Sequence, residues 1–182
     1  MKKDQSNINL PNLLSVIRIL MIPLALWGMV KEEYFFSFSI LVIAGITDAL
    51  DGFLARRLGQ FTLVGRILDP VADKILFVTL FSSMGFGLYL FPFWFTWVVL
   101  LRDVFILAGF FFLVHFKKVS MEEMKPTFLG KLHTGLLFLF LCFFLLSLSY
   151  GIAIPIDILI YIVTGSSVLS FASYFLTWVK KV

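Results

Sequence analysis

Residues Asp48 to Lys74 read D-A-L-D-G-F-L-A-R-R-L-G-Q-F-T-L-V-G-R-I-L-D-P-V-A-D-K. The stretch contains four aspartates, two near its beginning and two near its end: Asp48, Asp51, Asp69 and Asp73. On a helix, residues three or four apart share a face, so each pair can present two carboxylates together. A turn between two helices would let the two pairs face each other.

The four carboxylates predict a site for divalent metal. Crowded carboxylates repel one another and cannot all ionise in a medium of low dielectric constant. Divalent cations remove that conflict, and oxygen ligands suit hard ions such as Mg²⁺ or Mn²⁺. We therefore expect one or two such ions at Asp48, Asp51, Asp69 and Asp73. On a soluble helix these acids would form a solvated face. Here, however, the apolar segments I-L-V-I-A-G-I and I-L-F-V-T-L-F lie before and after them. Placing an acidic side chain inside a membrane costs free energy, so acids in such segments usually have a function.

The composition is that of a membrane protein. Hydrophobic residues make up 60% of the 182 residues, and only 14% are charged. Apolar segments of about 20 residues recur along the chain, as membrane-spanning helices require. The length predicts a single membrane-embedded domain over residues 1–182. The net charge of +4 does not indicate a nucleic-acid partner, because the basic residues lie between apolar spans. A single cysteine excludes a disulfide within the chain.

The hydrophobic pattern predicts an all-α integral membrane protein with six transmembrane helices. They are expected at about residues 12–30, 34–57, 65–88, 93–116, 128–149 and 156–178. Pro11 is well placed to begin a helix, and Asn9 to Leu13 are expected to form a short N-terminal interfacial helix. Polar residues follow Lys2 and Lys3, so we expect no cleavable signal peptide.

Basic residues collect on one side of the six predicted spans. That side carries both termini and Lys2, Lys3, Arg56, Arg57, Arg66, Lys117, Lys118, Lys125, Lys180 and Lys181. The opposite side has Lys31, with two glutamates beside it. The positive-inside rule places the basic side in the cytoplasm. We therefore predict the plasma (inner) membrane of a bacterium, with both termini and the active site on the cytoplasmic side.

The predicted depth of the aspartates agrees with one common site. At 1.5 Å per residue, Asp48 and Asp51 lie ~12 and ~8 Å from the cytoplasmic end of the second span. Asp69 and Asp73 lie ~6 and ~12 Å into the third span. This places all four at the bottom of a cavity open to the cytosol and the inner leaflet.

Such a site suits phosphoryl transfer. Divalent metals neutralise the charge that develops on phosphate oxygens and orient the leaving group. Gly52 and Gly65 would let the backbone approach a phosphate closely, although glycines also serve helix packing in membranes. Arg56 can clamp a diphosphate through paired hydrogen bonds. An aspartate not fully engaged by metal can take the proton of an attacking hydroxyl. The depth implies a lipid substrate.

The stretch resembles the signature of the CDP-alcohol phosphotransferases, D-x-x-D-G-x-x-A-R, eight further residues and then G-x-x-x-D-x-x-x-D. All eight signature positions match, at Asp48, Asp51, Gly52, Ala55, Arg56, Gly65, Asp69 and Asp73. The resemblance continues in P-N-L-L-S-V-I-R from Pro11 and in K-P-T-F-L-G-K-L-H-T from Lys125. It therefore covers most of the chain.

The resemblance implies the fold of that family and its reaction. A phosphatidyl group passes from CDP-diacylglycerol to an alcohol hydroxyl, and CMP is released, in glycerophospholipid biosynthesis. The four aspartates are implied as metal ligands, with Asp73 also the general base. The residues implied to bind CDP are Asp48, Gly52, Ala55, Arg56 and Gly65. The resemblance also implies a homodimer whose contact is made by membrane helices.

Acceptor binding is expected from basic residues able to reach the cavity, namely Arg18, Arg66, Arg102 and Lys131. Arg102 lies mid-span and must face protein or water; the alternative is an ion pair with an acid on another helix. For His133, a packing or hydrogen-bonding role is favoured over a chemical one.

The choice of acceptor rests on resemblance. Phosphatidylglycerophosphate synthases, which use glycerol 3-phosphate, typically show Arg-Glu and a second Arg eight residues later. This chain has Arg102-Asp103 and then Phe110. The R-D-V-F-I-L-A-G and K-P-T-F stretches look more like cardiolipin synthases, whose acceptor is phosphatidylglycerol. We therefore predict phosphatidylglycerol as acceptor, with glycerol 3-phosphate as the alternative.

Other classes of protein fit the sequence less well. A cation transporter could also place carboxylates in a membrane, but it would usually show internal repeats or broken helices, and no convincing repeat is present. A structural membrane protein would have no need of the aspartates. The intact signature argues against a family member that binds lipid without turnover.

Overall fold

The computed structural model describes residues 10–58, 75, 77–116 and 127–179, and it describes the backbone alone at 10–15, 48–58, 114 and 116. This part of the chain folds into six helices: α1 Leu10–Val30, α2 Tyr34–Leu58, α3 Phe77–Gly87, α4 Phe93–Phe116, α5 Phe128–Tyr150 and α6 Ile156–Val179. The last turn of α3, Ser83–Gly87, is π-helical. The described residues contain no strand, which confirms the all-α class.

The predicted spans agree with the helices to within about two residues wherever both ends are described. Within the described residues, three helices are long and apolar enough to cross a membrane: Phe93–Leu113 of α4, α5 and α6. In α1, α2 and α3 the apolar stretches are shorter, at Val16–Val30, Tyr34–Thr47 and Phe77–Gly87. Six spans and an interfacial N-terminal helix stay predictions.

Contacts divide the chain into two compact units, and the prediction of one domain stays untested. The first unit includes α1, α2, α3 and the last three residues of α5. In it, α1 and α2 form a hairpin, closed by the Glu33 amide, which donates to the Gly28 carbonyl at 2.8 Å. The buried hydroxyl of Ser37 donates to the Ala25 carbonyl at 2.9 Å. Gly28 permits this approach, because a Cβ there would lie 2.5 Å from Ser37 Oγ.

The second unit includes α4, α6 and α5 up to Ser147. Helix α4 packs on α6, and a cluster of rings fills one part of the interior. Its members are Phe91, Phe95, Phe140 and Phe144, with centroid distances from 4.6 to 5.9 Å. Helix α5 begins at a capping side chain, Thr127, whose hydroxyl accepts from the Gly130 amide. It ends at Gly151, whose φ of 63° is the left-handed conformation that favours glycine.

Candidate active site

The unbroken helical backbone of α2 brings the first half of the signature onto one face. With about 100° between successive residues, these positions fall within an arc of roughly 140°. They are Asp48, Asp51, Gly52, Ala55 and Arg56. The three-residue spacing of Asp48 and Asp51 on a formed helix fits the predicted pair of metal ligands.

This face continues the buried side of α2. Ser37, Leu41 and Ala44 are buried on α2, and steps of four and three residues carry the same stripe on to Asp48 and Asp51. The positions of Asp48 and Asp51 therefore lie in line with the buried residues of the first half of α2. Acids at such positions predict a protein-facing polar site and not a lipid-facing surface.

Arg18 lies on the corresponding stripe of α1. The residues buried on α1 are Arg18, Ile22, Ala25 and Met29. The contact between Ser37 and Ala25 sets the register of the antiparallel hairpin, and seven residues further along each helix Arg18 lies level with Ala44. Asp48 follows one helical turn later. Arg18 is thus buried, at 1% exposure, on the part of α1 that lies level with the residues just before the signature. Its role in acceptor binding stays a prediction.

The second half of the signature lies outside the described residues. This concerns Gly65, Asp69 and Asp73, and also Arg66, which was expected to bind the acceptor. The facing of the two aspartate pairs, and the roles of these residues, stay predictions.

Arg102 lies at the centre of a buried polar cluster in the second unit. It is 9% exposed on α4 and forms an ion pair with Asp103. Its Nη2 donates to the hydroxyl of Ser170 on α6, and its Cζ lies 5.9 Å from the ring centroid of Tyr174. Among the described residues, the acid that pairs with Arg102 is the next residue of the same helix. Asp103 also interacts with further groups.

His133 joins the same cluster from α5. It is 1% exposed, and its Nδ1 lies 2.8 Å from the hydroxyl of Ser166 on α6. Its Nε2 lies 3.4 Å from the hydroxyl of Ser167, and the charges of Arg102 and Asp103 both act on the ring. We define the buried polar cluster as Arg102, Asp103, His133, Ser166, Ser167 and Ser170.

The sequence analysis missed the three serines of this cluster. The available signal was their spacing: Ser167 and Ser170 lie three residues apart, on one face of α6. Lys131, by contrast, was expected near the acceptor but is exposed. Two residues from His133, it points to a different side of α5 and is not part of the cluster. Its acceptor role stays a prediction.

Comparison with known proteins decides the family. Residues 8–177 match the family model described as CDP-alcohol phosphatidyltransferase. This chain belongs to that family. A CDP-diacylglycerol–glycerol-3-phosphate 3-phosphatidyltransferase of Aquifex aeolicus is 38% identical over 130 residues, 69% of each chain. The CMP-forming cardiolipin synthase of Homo sapiens is 32% identical over 141 residues. That match covers 69% of this chain and 46% of the human protein, so the chain spans less than half of that relative.

The match confirms the resemblance read from the signature. The chain is a CDP-alcohol phosphatidyltransferase of phospholipid biosynthesis, and its membrane-spanning helices make it an integral membrane protein. Membership of an enzyme family leaves the transporter and structural alternatives without support. The relatives divide between cardiolipin synthases and glycerol-3-phosphate phosphatidyltransferases, so they do not choose the acceptor.

Proposed function

We propose that this phosphatidyltransferase uses CDP-diacylglycerol as donor and phosphatidylglycerol as acceptor, and so makes cardiolipin with release of CMP. The observation that carries the acceptor is the ion pair between Arg102 and Asp103. The Asp103 carboxylate offsets the charge of the Arg102 guanidinium. Eight residues later, where phosphatidylglycerophosphate synthases typically have a second arginine, this chain has Phe110. A phosphate monoester such as glycerol 3-phosphate carries close to two negative charges at neutral pH. An arginine that is paired with a carboxylate and has no second arginine eight residues later suits the single charge of a phosphodiester better.

Glycerol 3-phosphate remains the second candidate acceptor because of one specific observation. The Aquifex aeolicus relative, whose name states that acceptor, is 38% identical and matches 69% of its own length. Arg102 and the other predicted basic residues would then bind the free phosphate. The donor, the leaving group and the reaction at phosphorus are the same for both candidates.

In the proposed reaction the residues of the chain bind, orient and move one proton. Arg56 clamps the diphosphate of the donor, and Gly52 and Gly65 admit it close to the backbone, with Asp48 and Ala55 beside the nucleotide. Asp73 takes the proton of the acceptor hydroxyl, whose oxygen forms a bond to the phosphorus on the diacylglycerol side. The bond from that phosphorus to the bridging oxygen breaks, and CMP leaves with the oxygen.

A divalent cation is part of the proposal. Asp48, Asp51, Asp69 and Asp73 would hold one or two Mg²⁺ or Mn²⁺ ions, which would neutralise phosphate charge as the transition state develops. The helical pairing of Asp48 with Asp51 supports this donor set. Acceptor binding is assigned to Arg102 with Arg18, Arg66 and Lys131.

Location and assembly complete the proposal. We place the enzyme in a bacterial inner membrane with its termini and active site in the cytoplasm, and we propose a homodimer. The distribution of lysine and arginine supports the orientation, and the family resemblance supports the dimer. Labelling of single cysteines introduced at Lys2 and Lys31 in intact and opened cells would test the orientation. If the two cysteines were labelled to the same extent in intact cells, the proposed orientation would be contradicted.

The first experiment measures CMP release by the purified protein in detergent with CDP-diacylglycerol and Mg²⁺ or Mn²⁺. Phosphatidylglycerol and glycerol 3-phosphate are offered separately, and Asp73→Asn provides the inactive control. Release with phosphatidylglycerol alone is expected. Release with glycerol 3-phosphate alone would replace the first candidate with the second, and no release with either would overturn both.

A further inference from the structure

His133 is a buried histidine to which the proposed reaction assigns no role. Its two ring nitrogens face two neighbouring serine hydroxyls of α6 at different distances. Nδ1 and Ser166 Oγ are 2.8 Å apart, an ordinary hydrogen-bond length. Nε2 and Ser167 Oγ are 3.4 Å apart, at the long limit for a hydrogen bond. The two nitrogens therefore differ in how good a hydrogen bond each of them makes.

The hydroxyl of Ser166 decides which nitrogen carries hydrogen. Ser166 donates its one proton to the carbonyl of Val163 at 2.8 Å. Its oxygen can then only accept from the histidine, so Nδ1 must carry hydrogen. In the neutral ring Nε2 is the acceptor. Since the hydrogen bond to Ser167 Oγ is long, at 3.4 Å, the buried Nε2 lone pair has capacity for a closer donor.

A weakly satisfied donor belongs to the same cluster. Arg102 Nε is buried and has no hydrogen-bond partner among the residues described, while its two terminal nitrogens bond Asp103 and Ser170. Ser170 and Ser167 lie three residues apart on one face of α6, which brings the guanidinium and the imidazole to the same side of that helix. Buried polar groups usually have partners, so a ligand with one acceptor and one donor would complete this cluster.

We propose that His133 is a specificity-determining residue, whose Nε2 accepts a hydrogen bond from the non-reacting hydroxyl of a glyceryl phosphate group bound through Arg102. A glyceryl phosphate offers a phosphate oxygen to the guanidinium and a neighbouring C2 hydroxyl to the imidazole. The inference rests on the proposed function and deepens it. The group occurs in the headgroup of phosphatidylglycerol and in glycerol 3-phosphate, so both sources enter the test. His133 thereby selects glycerol over alcohols that lack the second hydroxyl.

Two substitutions separate the two nitrogens of His133. His133→Asn places an amide near Nδ1, where it can still donate to Ser166, but has no atom at Nε2. His133→Gln can place an amide oxygen near Nε2. We expect His133→Asn to raise the acceptor KM about tenfold, the factor that one hydrogen bond of ordinary net strength supplies. His133→Gln should stay within about threefold, and the KM for CDP-diacylglycerol should not change in either variant.

Acceptor analogues show whether the C2 hydroxyl is the bonded group. Phosphatidyl-1,3-propanediol and 3-hydroxypropyl phosphate keep the reacting primary hydroxyl and lack the one at C2. The unaltered enzyme should lose about tenfold in kcat/KM with the analogue of its acceptor. His133→Asn should lose no more than about twofold, because the bond is already gone. A structural role for His133 would not produce this coupling.

The outcomes distinguish this inference from the proposed function. If the unaltered enzyme releases no CMP with either glyceryl acceptor, both fail. If it turns over a glyceryl acceptor and its analogue equally, or His133→Asn still discriminates tenfold, only the role of His133 is overturned. Should His133→Asn not fold, the analogue comparison on the unaltered enzyme and on His133→Gln decides. Ser147→Ala is the matched control, since it removes a hydrogen bond to the Ile152 carbonyl at the other end of α5 and should leave the acceptor KM unchanged.

Discussion

A Cβ atom on Gly130 would lie 2.7 Å from the phenolic oxygen of Tyr174, so the Tyr174 side chain of α6 packs directly against the backbone of α5 here. The same Tyr174 ring lies against the guanidinium of Arg102, with 5.9 Å between the ring centroid and Arg102 Cζ. That distance is within the range of a cation–π interaction. The absence of a side chain at residue 130 therefore helps to set the position of the buried arginine on α4.

Gly130→Ala is expected to displace the Tyr174 ring and, through it, Arg102. Overpacking of this kind costs about 1–3 kcal/mol, so the Tm should fall by roughly 2 to 10 °C. The acceptor KM should rise as well. Gly135→Ala on the same helix is the control, because no atom of the described residues lies within 4 Å of its added Cβ and alanine favours the helix. Equal melting and turnover of the two variants would show that the contact does not position Arg102.

Tyr174→Phe should keep the acceptor KM close to that of the unaltered enzyme, and Tyr174→Leu should raise it. Phenylalanine retains the aromatic face and leucine does not. A cation–π interaction contributes about 0.5–2 kcal/mol, which corresponds to a two- to thirtyfold change in KM. Kinetics with varied acceptor at saturating donor would measure it. A rise of equal size in both variants would assign the effect to the hydroxyl of Tyr174 and not to its ring.

Gly28→Ala should destabilise the hairpin of α1 and α2, because its Cβ would lie 2.5 Å from Ser37 Oγ. We expect a loss of about 1–3 kcal/mol, seen as a lower Tm. Ser37→Ala removes that oxygen and also its bond to the Ala25 carbonyl. The double variant should therefore melt higher than the sum of the two single losses predicts. Strict additivity would mean that the two residues do not clash.

Asp51→Asn should lower CMP release by at least about a hundredfold if the acids hold catalytic metal. A chelator should abolish activity of the unaltered enzyme, and added Mg²⁺ or Mn²⁺ should restore it. Asp157→Asn is the matched control, since Asp157 is an exposed acid in the first turn of α6. Its loss should affect stability by less than about 1 kcal/mol and leave turnover intact. Full activity of Asp51→Asn, or insensitivity to chelator, would contradict the metal site.

The helices of this protein could be read from the sequence because each is a long apolar run bounded by polar or helix-breaking residues. The predicted fourth span, 93–116, coincides with α4. The hydrophobicity that a membrane-spanning helix needs and the residues that end a helix are local properties of the chain. The spacing of Asp48 and Asp51 on α2 is local as well. The signature likewise identified the family before any tertiary contact was known, since it consists of fixed residues at fixed intervals.

The surroundings of Arg102 could not be read in this way. Arg102 was expected to bind the acceptor, with an ion pair to an acid on another helix as the alternative. In the described part of the chain it pairs with the adjacent Asp103 and contacts Ser170 and Tyr174 of α6, about 70 residues later. His133 was expected to pack or to form hydrogen bonds, and it does so. Which nitrogen carries its hydrogen, however, depends on the bond of Ser166 to Val163.

The sequence by itself thus determined that this is a helical membrane enzyme of the CDP-alcohol phosphatidyltransferase family and which acids belong to its signature. Only the tertiary structure decided that Arg102, His133 and the serines of α6 form one buried cluster. The physical reason is that helix formation and membrane partition depend on short segments. The satisfaction of a buried charge or lone pair depends instead on which side chains packing brings within hydrogen-bond distance.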